Sequence, residues 1–163
     1  TNNKKYYNII NKISNLGSNK KFIHDYVGVN SRIDTIQATI LIEKIKMLNL
    51  INKKRRNIAK FYSKNINNSK INKLIYSKSC VYHQYVILAK NRKRLIKILS
   101  KNHIPYGFHY PYSINKLHSL RKLFKGQKYP NAERIGKECV SLPIDPSLSI
   151  SDLKKITSVL NSF

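Results

Sequence analysis

Tryptophan is missing from this chain, cysteine occurs twice, glycine and proline five times each, and acidic residues only seven times. Each scarcity closes off a class of protein. The two cysteines, Cys80 and Cys139, have no CxxC partner and no histidine at zinc-ligand spacing, so no metal site is expected. Both read as small buried hydrophobes. With few glycines and prolines and 41% apolar residues, the composition is that of a folded globular chain rather than a disordered one. No apolar run approaches the roughly eighteen residues a membrane-spanning helix requires. The start, Thr1-Asn2-Asn3-Lys4-Lys5, has neither an initiator methionine nor the apolar core of a signal peptide. The expectation is an internal or C-terminal piece of a cytoplasmic protein, with one domain or slightly more in 163 residues.

Catalytic patterns are equally absent. There is no GxGxxG, no GKS/T loop, no HExxH and no GxSxG. Seven scattered carboxylates suggest no acid–base pair. The histidines are isolated: His83 and His109 fall in predicted strands as structural residues, and His103 and His118 read as surface positions. No catalytic residue is assigned within the chain.

Positive charge is abundant. Thirty-two lysines and arginines give a formal charge of +25, which favours polyanions at low salt. Twenty-five of the thirty-two are lysines, spread from end to end beside an excess of asparagine and isoleucine. A nucleic-acid face is more often concentrated, arginine-bearing and interleaved with aromatics. The charge therefore reads as solvated surface, with no specific nucleic-acid partner.

The stretch Gly28–Lys46 stands out. Gly28 suits a tight bend, and Ser31 with Asp34 three residues later has the spacing of a capping box, placing helix onset near Arg32. Ile33, Ile36, Ile40, Leu41 and Leu48 predict a buried stripe. Asn30 and Arg32 would then lie where free N–H groups and a helix dipole attract an anion. Before this, residues 3–15 predict a helix ending near Gly17, and Ser18 to Val29 a loop. After it, helix continues to about Asn68 with a break at Asn49, where a second stripe (Leu50, Ile51, Ile58, Phe61, Tyr62, Ile66) begins. A polar link covers Asn67 to Ser79.

Strands are predicted at Val81–Ala89, Ile104–Tyr110 and Val140–Ile144, and helices after Asn91, over Asn131–Cys139 and after Ser149. Residues 112–129 read as loop with a short helix. The sum is an α/β chain: residues 1–68 helical, and residues 69–163 a small domain with a three-stranded sheet backed by helices.

Six phrases in order resemble the DegT/DnrJ-type sugar aminotransferases. They are His24-Asp25-Tyr26-Val27-Gly28-Val29-Asn30-Ser31-Arg32-Ile33; Arg55-Arg56-Asn57-Ile58-Ala59-Lys60-Phe61-Tyr62; Tyr82-His83-Gln84-Tyr85-Val86; His109-Tyr110-Pro111; Pro130-Asn131-Ala132-Glu133; and Ser141-Leu142-Pro143-Ile144 with Pro146. The resemblance covers essentially the whole chain. It implies the C-terminal half of an aspartate-aminotransferase-like fold. Residues 1–68 would be the helical end of the large cofactor domain with its connecting long helix, and residues 69–163 the small C-terminal domain.

The family uses pyridoxal 5'-phosphate, acts on keto-sugar nucleotides with glutamate as the expected donor, and works as homodimers with shared sites. Carried over by position, Asn30 and Arg32 would help clamp the cofactor phosphate of the neighbouring subunit, and His24, His109 and Tyr110 would lie by the substrate. His118 is out of register with the histidine that often follows the family's HYP phrase, so no role is carried to it. The family's Schiff-base lysine belongs to the half not seen here, so the isolated chain is expected to be inactive. A basic nucleic-acid binder and a non-catalytic remnant of the enzyme stay open as alternatives.

Overall fold

A computed structural model describes residues 1–20, 22–120 and 122–163. It divides into two compact units, Thr1–Met47 and Leu48–Phe163, whose boundary falls inside one long helix.

In the first unit, helix α1 (Lys4–Ser14) starts on Asn3, whose side chain accepts from the backbone N–H groups of Lys5 and Tyr6. The chain reverses through Leu16 and Gly17, both at positive φ. The expected loop from Ser18 to Val29 holds a small antiparallel ribbon instead, β1 (Ser18–Lys20) with β2 (Ile23–His24). Such short pairs carry no sequence period, which is why alternation did not reveal it.

Helix α2 runs unbroken over Thr35–Asn65. No break occurs at Asn49, where the change of stripe marks a change in what the helix faces. Onset also differs from expectation. Asp34, not Ser31, caps the helix: its carboxylate accepts from Ile36 N–H at 2.9 Å, and Gln37 reaches back to Asp34 N–H at 3.3 Å. Ser31 instead donates its N–H to the Ser14 carbonyl. The expected stripe of Ile33, Ile36, Ile40, Leu41 and Leu48 is exposed throughout.

The second unit holds the core. The C-terminal part of α2 buries Ile58, Ala59 and Tyr62, and Ile66 follows just beyond the helix. They join an antiparallel sheet of order β3-β4-β5, formed by Ile71–Lys73, Tyr85–Ala89 and Cys139–Leu142. Alternation in β4 sends Tyr85, Ile87 and Ala89 inward. Helices α3 (Arg92–Lys101) and α5 (Ile150–Asn161) supply Leu95, Leu99, Leu153, Ile156 and Leu160. Both caps follow the sequence: Asn91 caps α3, and Ser149 with Asp152 forms a full capping box on α5. Helix α4 is Pro130–Glu138, with proline in its first turn.

The sheet has three strands as expected, but a different membership. Strand β3 lies inside the predicted polar link, where only Ile71 of its three residues is buried. Ile104–Tyr110 is not a strand; it touches the sheet through a single bridge, Gly107 to Ser141. His83 and His109 accordingly lie outside strands. Residues 112–129 contain two short 3-10 turns, Ile114–Lys116 and His118–Leu120. Cys139 is buried as expected, whereas Cys80 is exposed because its segment leads into β4 without joining it.

Tyrosines fill one side of the core. Tyr62 and Tyr85 pack at 5.1 Å between ring centroids, and Tyr62 donates to the Pro143 carbonyl at 2.8 Å. Burial, with the neighbouring tyrosine rings, raises both phenols, that of Tyr85 to about 12. Neither ionises in the working range.

Candidate functional site

The segment Gly28–Arg32 is positioned by the end of α1. Val29 donates its N–H to the Ile13 carbonyl and accepts from Leu16 N–H, while Asn30 bridges Asn15. Helix ends leave such carbonyls unpaired, so an adjacent extended segment supplies their partners. Gly28 is required here for closeness rather than for a special φ. A Cβ on it would fall 2.1 Å from Gly17 N and 2.6 Å from the Ile13 carbonyl oxygen. Gly17 faces the same crowding, with the Tyr26 carbonyl oxygen 1.7 Å from its ideal Cβ. Two glycines thus let two backbones touch, and the G-x-N-x-R spacing is read outward from that contact.

This packing collects three of the five site residues expected from sequence. His24 donates from Nδ1 to the Leu16 carbonyl at 2.9 Å, since a carbonyl can only accept. Its Nε2 is therefore the atom left for another partner. Arg32 Nε donates to Asn30 Oδ1 at 3.2 Å, which orients the guanidinium. Both residues are exposed, and among the described residues no carboxylate pairs with Arg32. The helix-dipole argument for them does not hold. Helix α2 begins three residues beyond Arg32, and its first turn is already capped by the Asp34 carboxylate. What favours an anion here is an unpaired guanidinium fixed by an amide.

The other two expected residues belong to the second unit. His109 Nδ1 lies 2.8 Å from Ser141 Oγ, and Ser141 is buried in β5. The Gly107–Ser141 bridge, with backbone hydrogen bonds of 3.1 and 2.8 Å, holds the loop against the strand. The His109–Tyr110 peptide bond is cis, and the two rings meet edge to face at 5.6 Å. His83, Gln84, Tyr106 and His109 line an open groove of about 260 Å³ over Ser141. Tyr110 is exposed and lies outside that groove.

Sequence reasoning missed two positions. Ser141 was visible only as part of the S-L-P phrase; nothing local announces a serine that fixes a histidine 32 positions away. Gly17 has the local signature of a helix stop, whereas its contact with Gly28 depends on residues 24–32 returning to α1. Among the described residues no group of three metal-ligating side chains occurs, and no helix is long and apolar enough to cross a membrane.

Comparison with known proteins gives these arrangements a context. The profile of the DegT/DnrJ/EryC1/StrS aminotransferase family matches residues 1–161. Among curated relatives, dTDP-3-amino-3,6-dideoxy-alpha-D-galactopyranose transaminase of Aneurinibacillus thermoaerophilus is 33% identical over 156 residues, covering 94% of this chain and 43% of that protein. A solved DegT DnrJ EryC1 StrS aminotransferase from Brucella abortus superimposes with a TM-score of 0.87 at 25% identity, covering 100% of this chain and 44% of the other. NtdA from Bacillus subtilis with bound cofactor PMP superimposes at 0.80 with 24% identity, over 98% and 40%. The chain spans about half the length of the curated relatives it matches. The phrases quoted from the sequence, the mixed helix–strand fold and the family profile agree: this chain belongs to the DegT/DnrJ/EryC1/StrS aminotransferase family.

Proposed function

We propose that the chain is the C-terminal part of a pyridoxal-phosphate-dependent aminotransferase acting on a keto-sugar nucleotide, with glutamate as amino donor. The observation that carries this is the family match over residues 1–161 by a chain covering 43% of a curated transaminase. Residues 1–68 then represent the end of the large domain with its connecting helix, and residues 69–163 the small domain. The cofactor-binding lysine lies in the other half of the fold, the working form is a cytoplasmic homodimer with shared sites, and the chain by itself is inactive.

The residues present suit the cofactor's phosphate end. Arg32, with no carboxylate partner among the described residues and held at Nε by Asn30, has its terminal N–H groups for an anion. Asn30 adds an amide N–H, its oxygen being used on Arg32. When bound, the cofactor supplies an electron sink for amino-group transfer. The chain's own contribution is binding and orientation. His24 presents Nε2 from a ring fixed on Leu16, and His109, held by Ser141, offers its second nitrogen to the substrate together with the exposed Tyr110 phenol. A clamp on the unreactive phosphate matters because a held ring loses little entropy at the reacting atom.

The test supplies what is missing. The chain is joined to, or co-expressed with, a family segment that carries the lysine, and amino transfer from glutamate to a keto-sugar nucleotide is followed. Cofactor uptake and aminated product are expected. A well-folded assembly that takes up no cofactor overturns the proposal.

A further inference from the structure

Residues 107–110 carry two of the groups assigned to the substrate, yet the backbone gives them little support. Gly107 exchanges two hydrogen bonds with Ser141, and that is the segment's one bridge to the sheet among the described residues. A paired strand is held residue by residue through its ladder. Here side chains take over. His109 is tied to Ser141 Oγ at 2.8 Å, and the Tyr110 carbonyl oxygen lies 3.4 Å from the buried Cys139 Sγ. Phe108, between Gly107 and His109, is met from a different element.

That partner is Arg92, the first residue of α3. Its Nη1 donates to the Gly136 carbonyl at 2.7 Å and, less closely, to the Cys139 carbonyl at 3.5 Å. Gly136 stands in the last turn of α4, where the helix leaves its own carbonyls without intrahelical partners. The same guanidinium lies over the Phe108 ring, 4.9 Å from its centroid. Phe108 in turn packs on the core, with the Tyr106 ring 5.7 Å away. Arg92 is half-buried, and among the described residues no carboxylate pairs with it. Capping α4 needs only a donor, which a lysine would supply. The contact with the ring is what a simple cap does not explain. A guanidinium donates within its plane while its face covers a ring; an ammonium can meet the carbonyl or the ring but has no plane with which to do both.

We infer that Arg92 is a positioning residue: it holds the Phe108 ring against the junction of α4 and β5 and thereby sets where His109 and Tyr110 stand. This rests on the proposed reading in which those two side chains face the substrate. Arg92 acts through Phe108, so its loss falls on binding of the substrate. A misplaced binding group raises KM and leaves kcat little changed.

The test uses the complete, cofactor-loaded enzyme with Arg92→Lys, Phe108→Leu and the double variant. Hydrogen exchange of the Gly107 amide reports the loop, and amides of β4 and α5 serve as the control. Kinetics are followed with the best-used of a panel of dTDP-, UDP- and GDP-linked keto-sugars. In each single variant the Gly107 amide should exchange about three- to tenfold faster, with β4 and α5 unchanged. KM for the keto-sugar should rise by a similar factor while kcat stays within about twofold. The double variant should be no worse than either single one, because both remove the same contact. Gly107 exchange within about twofold of the parent in Arg92→Lys overturns the inference, as does loosening spread equally into β4 and α5. If Arg92→Lys fails to fold, the same readouts in Phe108→Leu decide. Faster Gly107 exchange with an unchanged KM supports the hold on the loop and overturns the substrate role given to His109 and Tyr110 instead.

Discussion

Residues 1–47 and residues 48–163 draw on the same vocabulary of isoleucine, leucine, tyrosine and lysine, yet they use it oppositely. Among the described residues of the second unit twenty apolar side chains are buried, and nineteen of them form one core. In the first, no described side chain is buried; only Gly17 is, while Ile36, Ile40, Ile42 and Ile45 of one helix are all exposed. Helix α2 carries both behaviours along a single 31-residue rod. Apolar periodicity therefore records where a helix is meant to be covered, not whether this chain supplies the cover. Exposed apolar stripes of this length point to a surface completed by other polypeptide.

The comparison can be broken most directly in the core. Leu99→Ala should cost about 2–5 kcal/mol in denaturant unfolding of the second unit, whereas Ile40→Ala should stay within about 0.5 kcal/mol on the chain alone. Equal losses would erase the distinction. A smaller effect sharpens it: Tyr62→Phe leaves the Pro143 carbonyl unmet and should cost about 1 kcal/mol. Smaller still or similar, Ser149→Ala removes one arm of the α5 capping box, for about 1 kcal/mol.

Acid titration reads the same cap. The Ser149 hydroxyl and backbone N–H hold the Asp152 carboxyl below its ordinary 3.8. The folded state thus binds fewer protons than the unfolded one in that region, so the contribution is complete above pH 3.8 and fades as pH falls through the depressed value. Ser149→Ala should flatten this acid limb; an unchanged limb would mean that the cap does not set it.

Legibility followed the range over which each feature is determined. Caps are local, so Asn91 and the Ser149–Asp152 box were readable residue by residue. Strand β4 was readable because Val81–Ala89 is dense in β-branched and aromatic residues, although only Tyr85–Ala89 pairs. Ile71 to Lys73 became a strand only because β4 offers an edge, and its asparagine and lysine carry no signal. Ile104–Tyr110 has strand composition but meets the outer edge of β5 at one bridge, Gly107 to Ser141. At the site, Asn30 and Arg32 came from a family phrase, while the contact that orients them, two glycine backbones against the end of α1, spans a distance no local pattern encodes.

The central claim is that the Asn30–Arg32 pair holds a cofactor phosphate. Its most direct test is the equilibrium cofactor affinity of the complete enzyme before and after Asn30→Ala and Arg32→Ala. Loss of a charge-assisted phosphate contact should weaken binding by about 1.5–3 kcal/mol for the arginine, and by less for the asparagine. Affinity unchanged in both variants, with the fold intact, would contradict the claim.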